Sequence, residues 1–169
     1  HKPREMSEED FETMHDVAAM IESELQTTVT RTVQGDLLKQ IESEQRKAMA
    51  ALAFMDGQWR GSAWTLLPSG EKHTLTQTER VGPMLDGAIK VVEGRGYDAS
   101  GKVAFNAFAV ISYNPSSKAI TMRSHAQGMV GEYVLTPTAN GFSWEIPAGP
   151  MTIRYTAVVT DGTWKEVGD

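Results

Sequence analysis

The chain has 169 residues, a formal net charge of −6 and no cysteine. This length predicts one domain with a substantial core. The absence of a basic patch excludes a nucleic-acid-binding role, and the longest apolar stretches are too short to span a bilayer. Without cysteine there are no disulfides, thiolate metal sites or cysteine nucleophiles. Because the first residue is not an initiator methionine, the lack of a leader sequence says nothing about location.

Charge and glycine are distributed unevenly. Residues 1–56 contain six Lys or Arg and twelve Asp or Glu, whereas residues 57–169 contain ten of each. Fourteen of the fifteen glycines and all four tryptophans lie at or after Gly57. The shift predicts an acidic helical segment over 1–56 and a turn-rich β domain over 57–169.

The acidic segment predicts two α-helices. Ser7 is a good N-cap for the first, and acidic residues follow it in the first turn. The threonine-rich stretch Thr27–Val33, which ends at Gly35, is poor helix material and is expected to separate the two helices, and Asp36 can cap the second. We expect the segment to pack on the β domain or on a partner, with a lid or a dimerisation arm as alternatives. The apolar stripes are Phe11, Met14, Ala18, Ile21 and Leu25, then Leu38, Ile41, Ala48, Leu52 and Met55.

From Gly57 onward, short alternating runs are separated by turn residues. Short connections exclude a parallel sheet and favour an antiparallel up-and-down meander closed into a barrel of about nine strands. The fold class predicted is therefore mainly β, preceded by two helices. The predicted strands are Gln58–Leu67, His73–Val81, Ala88–Tyr97, Val103–Tyr113, Ala119–His125, Met129–Thr136, Phe142–Ile146, Met151–Val159 and Thr163–Val167.

Hairpin pairing predicts which side chains face the barrel interior, if Trp59 faces inward. The resulting face combines apolar and aromatic groups with several charges, which is what a ligand cavity requires. An alternative is an internal network in which the arginines neutralise the carboxylates without a ligand. The opposite face, including Arg60, Arg80, Lys90 and Arg154, is predicted to be the outer wall. The predicted ligand-binding residues are Trp59, Glu79, Glu93, Arg95, Phe105, Arg123, His125, Glu132, Trp144 and Tyr155.

Several motifs resemble known families. Gly57-Gln58-Trp59 is similar to the Gly-x-Trp opening of lipocalins and related calycins. The ordered set formed with Glu79, Leu85-Asp86-Gly87, Glu93-Gly94, Gly141-Phe142-x-Trp144 and Asp161-Gly162-x-Trp164-x-Glu166 resembles the DUF1579 family of lipocalin-like bacterial proteins. The resemblance covers residues 52–169 and implies a lipocalin-like barrel. Exported members of that family favour a periplasmic or secreted location. The family pattern continues with a final strand beyond Glu166, so an open or otherwise covered barrel edge is expected here.

Gly57-x-Trp59-x-Gly61 is also similar to the start of nitrobindins, which are haem-binding barrels. Those proteins have a haem-ligating histidine late in the barrel, whereas the last histidine here is His125. We therefore predict no haem and no other cofactor. The histidine spacing does not support a transition-metal site.

The leading functional hypothesis is a non-enzymatic protein that encloses a small apolar or amphipathic molecule. A polar or anionic group of the ligand could reach Arg95 and Arg123. An alternative is a barrel enzyme that uses His125 with Glu79 or Glu93 as acid and base. The third is a structural or oligomeric module whose barrel is filled by its own side chains. A homodimer could form through the helices or through an open barrel edge.

Overall fold

The structure is a computed structural model that describes residues 8–66 and 69–169, with side chains except at positions 9, 10, 11, 13 and 66. Within these ranges, one long helix and a short 3₁₀ helix precede nine strands. The predicted strands are confirmed, with ends that differ by up to three residues. The elements are α1 Glu8–Ala50, the 3₁₀ helix Ala53–Met55, β1 Gly57–Leu66, β2 Lys72–Met84, β3 Ile89–Tyr97, β4 Val103–Asn114, β5 Ala119–Ala126, β6 Met129–Pro137, β7 Gly141–Ala148, β8 Met151–Thr160 and β9 Thr163–Gly168.

The prediction of two helices is wrong, because α1 continues through the threonine-rich stretch and Gly35. The hydroxyl of Thr27 donates to the carbonyl of Ser23 at 2.9 Å, and Thr30 and Thr32 make the same contact one turn back. Their hydroxyls are therefore satisfied within the helix. The predicted cap Ser7 lies outside the described residues. No helix in the described ranges combines the length and apolar composition needed to cross a membrane.

The strands follow one another in space in chain order, and every neighbouring pair is antiparallel. They form a nearly closed barrel, with β1 and β9 at the two ends of the strand order. Most neighbouring strands are paired along much of their length. The join between β6 and β7 is shorter and consists of the pairs Thr136↔Ser143 and Pro137↔Phe142.

The chain divides into two compact units after Ile41. In the second unit, the last turn of α1 and the 3₁₀ helix supply Met49, Leu52 and Met55, which are each at most 2% exposed. They close one end of the barrel with an apolar floor, because they pack together with buried residues from several strands. These strand residues are Val81, Ile111, Ile120, Leu135, Phe142 and Ala157.

Several hairpin turns contain an even number of residues, and this sets the register. Residues 85–88 separate the paired residues Met84 and Ile89, and residues 115–118 separate Asn114 and Ala119. Leu85 and Asp86 both have positive φ angles, of 51° and 54°. Because side chains alternate along a strand, a turn longer or shorter by one residue reverses the face of the next strand.

Candidate functional site

Five predicted site residues lie on the interior face, which also contains the floor residues Val81 and Leu135. Trp59 pairs with Glu79 across β1 and β2, and Trp144 pairs with Tyr155 across β7 and β8. All four are partly buried. Phe105, on β4, pairs with the buried Gly96 and completes the set.

The other five predicted residues lie on the outer face, so their predicted interior position is wrong. The register places Glu93 opposite Arg80 and Arg95 opposite Thr78, whereas Glu79 is opposite Gly94. The predicted faces require an odd number of residues in the turns before β3 and β5, whereas both turns contain four. A register shift between Gly96 and Tyr97 restores the predicted face of β4. The residues on the outer face are Glu93, Arg95, Arg123, His125 and Glu132.

The outer charges pair with one another. Glu93 accepts hydrogen bonds from Arg80 Nε at 2.6 Å and from Arg95 Nη2 at 2.6 Å. The two guanidinium groups hold the pKa of Glu93 below its ordinary value, and Arg80 has the larger effect. Because Glu79 lies on the opposite face, these arginines do not neutralise it. The alternative of an internal network in which the arginines neutralise the carboxylates is therefore wrong.

Lys90 differs from its prediction in the opposite direction. The sequence predicts it on the outer wall, whereas it lies on the interior face and is 2% exposed. Its Nζ lies 2.6 Å from Oδ1 of Asp56, which follows the 3₁₀ helix. This ion pair lies beside the apolar floor. The amine is thus occupied by a carboxylate of the protein itself.

A layer of aromatic rings lies above the floor. Trp144 stacks on Tyr155 with ring centroids 4.6 Å apart and lies 5.0 Å from the tilted ring of Tyr133. Trp59 meets Trp164 edge-to-face at 5.5 Å, which joins side chains of β1 and β9. Such offset and edge-to-face pairs are favourable ring geometries. The layer consists of two ring groups, one on β6, β7 and β8 and one on β1 and β9, and the hydrogen bond from Trp144 to Glu166 of β9 links them.

Two carboxylates lie among these rings. Gln77 Nε2 donates to Glu79 Oε1 at 2.8 Å, and Trp144 Nε1 donates to Glu166 Oε1 at 3.0 Å. Glu79 is partly buried and the residue Glu166 as a whole is exposed, and partial loss of hydration beside protein atoms raises the pKa of both. The negative charge of Glu166 raises the pKa of Glu79 further, so the two carboxylates act on each other. Neither glutamate has an ion-pair partner among the residues that the structure describes.

Interior glycines make room for these polar side chains. A Cβ added at Gly94 would lie 2.8 Å from Oε1 of Glu79, and one added at Gly168 would lie 2.7 Å from the ring of Tyr155. At Gly61, an added Cβ meets nothing within 4 Å. The interior is therefore filled beside Gly94 and Gly168 and open beside Gly61.

The arrangement separates the proposed catalytic groups. Glu79 and Glu93 lie on opposite faces, and His125 is exposed opposite Phe108 and Val130 on the outer face. Glu79 therefore cannot work with His125 or Glu93 on one substrate, whereas Glu93 and His125 share the outer face with Phe108 between them. Within the described ranges, no three His, Asp or Glu side chains converge as a metal site.

Sequence reasoning missed Gln77, Tyr133, Trp164 and Glu166. Trp164 and Glu166 belong to a quoted motif, and their spacing of two places them on one face of β9. Extending the pairing from Tyr155 through Ala157 to Glu166 would have placed this carboxylate inside. Tyr133 was missed because the turn before β5 reversed the predicted faces of both β5 and β6.

Comparison with known proteins gives no further constraint on the site. A scan against protein-family models found no match, and a search of curated proteins found no significant match.

Proposed function

We propose that this protein is a lipocalin-like barrel that binds a small, largely apolar molecule in the aromatic layer of its interior. The supporting observation is the layer itself, formed by Trp59, Tyr133, Trp144, Tyr155 and Trp164. Ligand sites are typically apolar and aromatic concavities with a small number of polar groups. The resemblance of several motifs to the DUF1579 family favours the lipocalin-like fold in this proposal.

The accessibility of the layer supports the same proposal. The floor residues Leu52 and Ile111 are fully buried, whereas Trp144 and Tyr155 in the layer are partly exposed. The rings thus have apolar surface that their own neighbours do not cover. Enclosing an apolar ligand there would remove this surface from water, which is favourable by about 25 cal/mol per Å².

Binding of N-phenyl-1-naphthylamine, an uncharged fluorescent probe, tests the proposal. We expect enhanced probe fluorescence and quenching of tryptophan emission on titration. Gly61→Phe directs a ring into the open space beside β1 and should abolish both signals. Ser62→Phe adds the same ring on the outer face of the same strand and should leave them unchanged. Equal signals from the two variants would contradict an interior site.

A second role, self-association through the first unit, is favoured by the exposed apolar side chains of α1. Residues 8–24 contain seven acidic residues and no Lys or Arg, whereas Arg31 and Lys39 lie further along the helix. Antiparallel pairing of two copies would keep the acidic halves apart. The exposed side chains are Met14, Val17, Met20, Ile21, Leu25, Val29, Val33, Leu37 and Leu38.

Light scattering coupled to size-exclusion chromatography tests this role. We expect the full chain to be a dimer and Leu25→Glu to shift it to a monomer. Glu24→Gln, a control at the adjacent position, should remain a dimer or become a tighter one. A monomeric wild-type chain at micromolar concentration would contradict the proposed self-association.

A further inference from the structure

The interior contains more negative than positive charge. The five arginines of the β domain, Arg60, Arg80, Arg95, Arg123 and Arg154, all occupy outer-face register positions. Lys90 faces inward but is held by Asp56 at 2.6 Å. Glu79 and Glu166 are therefore the interior carboxylates without a cationic partner in the described part of the chain.

The hydrogen bonds of these two glutamates do not balance their charge. Glu79 accepts from the neutral amide of Gln77, and Glu166 accepts from the neutral indole of Trp144. Glu79 is partly buried and Glu166 is exposed to water, so a ligand that displaces this water leaves both charges costly unless it carries the compensating positive charge itself. Trp59 pairs with Glu79 and contacts Trp164, which lies two residues before Glu166 on the same face of β9, so one positive group beside these rings would interact favourably with both carboxylates.

The rings beside the carboxylates are suited to an organic cation. Trp59, Trp144 and Trp164 lie in the same layer as Glu79 and Glu166, and tryptophan provides the strongest cation–π face. A substituted ammonium group presents both charge and apolar surface. We propose that the ligand of the barrel is an organic cation, an amine or quaternary ammonium compound, bound by the aromatic rings and these two carboxylates. This inference rests on the proposed function.

Two other ligand classes fit less well. A calcium ion takes six to eight oxygen ligands, and the site offers two carboxylates among indole rings. An anionic ligand would face uncompensated carboxylates, while the arginines predicted to receive it, Arg95 and Arg123, point to the outer face. Charge and lining therefore favour a weakly hydrated cation.

Calorimetric titration with phenyltrimethylammonium and with tert-butylbenzene, its uncharged carbon isostere, tests the inference. We expect the unmodified protein to bind the cation at least about tenfold more tightly, which corresponds to about 1.4 kcal/mol. Glu79→Gln and Glu166→Gln should each weaken the cation about tenfold and change tert-butylbenzene by less than about twofold. Glu145→Gln, which removes one negative charge from the outer face of β7, should change neither.

The outcomes separate the two proposals. If tert-butylbenzene binds as tightly as the cation, the charge inference is overturned, while ligand binding in the barrel stands. If neither isostere binds and N-phenyl-1-naphthylamine also fails, the proposed function itself is overturned. If Glu145→Gln weakens the cation as much as Glu79→Gln, the effect is a general surface field and the inference is wrong. Because the first comparison uses the unmodified protein, it holds even if a variant fails to fold.

Discussion

Replacing Asp56 by asparagine tests the buried ion pair with Lys90. The atoms Nζ and Oδ1 lie 2.6 Å apart, and the two side chains are 3% and 33% exposed. At an effective dielectric constant of about 20, two unit charges at this distance attract by about 6 kcal/mol before desolvation is subtracted. Removing one partner of a buried pair typically costs 3–5 kcal/mol. Because Asp56 is partly hydrated and asparagine still offers an oxygen to Lys90, we expect a loss of about 2–3 kcal/mol.

Urea denaturation measures this loss as a lower midpoint at an unchanged slope. Asp86→Asn is the matched control, since Asp86 is 94% exposed and lies 3.7 Å from Arg46, and we expect less than about 0.5 kcal/mol there. Lys90→Met leaves Asp56, which water can reach, and should cost less than Asp56→Asn. Equal losses at Asp56 and Asp86, or a larger loss for Lys90→Met, would refute the reasoning.

Further predictions concern stability. Burial raises the pKa of Glu79, so the protonated side chain contributes its full stability below the ordinary pKa of 4.5, and this contribution is lost as the pH rises through the raised pKa. Glu79→Gln should therefore reduce the pH dependence of stability in urea melts from pH 4 to 8. An unchanged pH dependence would contradict this prediction. Leu52→Ala should cost 2–5 kcal/mol by chemical denaturation, since Leu52 is fully buried. A Cβ at Gly141 would lie 2.0 Å from the backbone oxygen of Ala157, so Gly141→Ala should lower the melting temperature strongly. Gly35→Ala, with open space around it, should stabilise α1 by about 0.5–1 kcal/mol, seen as helical circular dichroism persisting to higher temperature.

Strand positions could be predicted because each strand ends at residues that favour turns. Asp86-Gly87, Asn114-Pro115 and Asp161-Gly162 all mark observed hairpin connections. Their physical basis is local, since glycine, asparagine and aspartate tolerate the left-handed backbone that tight turns need. Local chemistry therefore located the hairpins.

The faces of β3, β5 and β6 could not be predicted from the same signals. Leu85 adopts a positive φ that its residue type does not favour, and this extends the turn at Asp86-Gly87 to four residues. An even instead of an odd number of turn residues placed Gly94 and Gly96 inside the barrel and Arg95 outside it. The continuity of α1 through Gly35 was missed for a similar reason, because helix propensity is only a weak local preference. The face on which a strand's side chains lie and the residue at which a helix ends depend on tertiary interactions, which the sequence of a single turn does not determine.

The short join between β6 and β7 has a consequence for how the domain opens. Strands β7–β9 form a three-stranded meander attached to β6 through two residue pairs, and β9 ends the strand order. Such a segment can detach as one cooperative unit while the other six strands stay folded, so its amides should exchange with solvent faster. Trp144, Tyr155, Trp164 and Glu166 all belong to it. A ligand held between Glu79 and Glu166 would fasten this segment to the rest of the sheet, and amide exchange in β7–β9 would slow in proportion to occupancy.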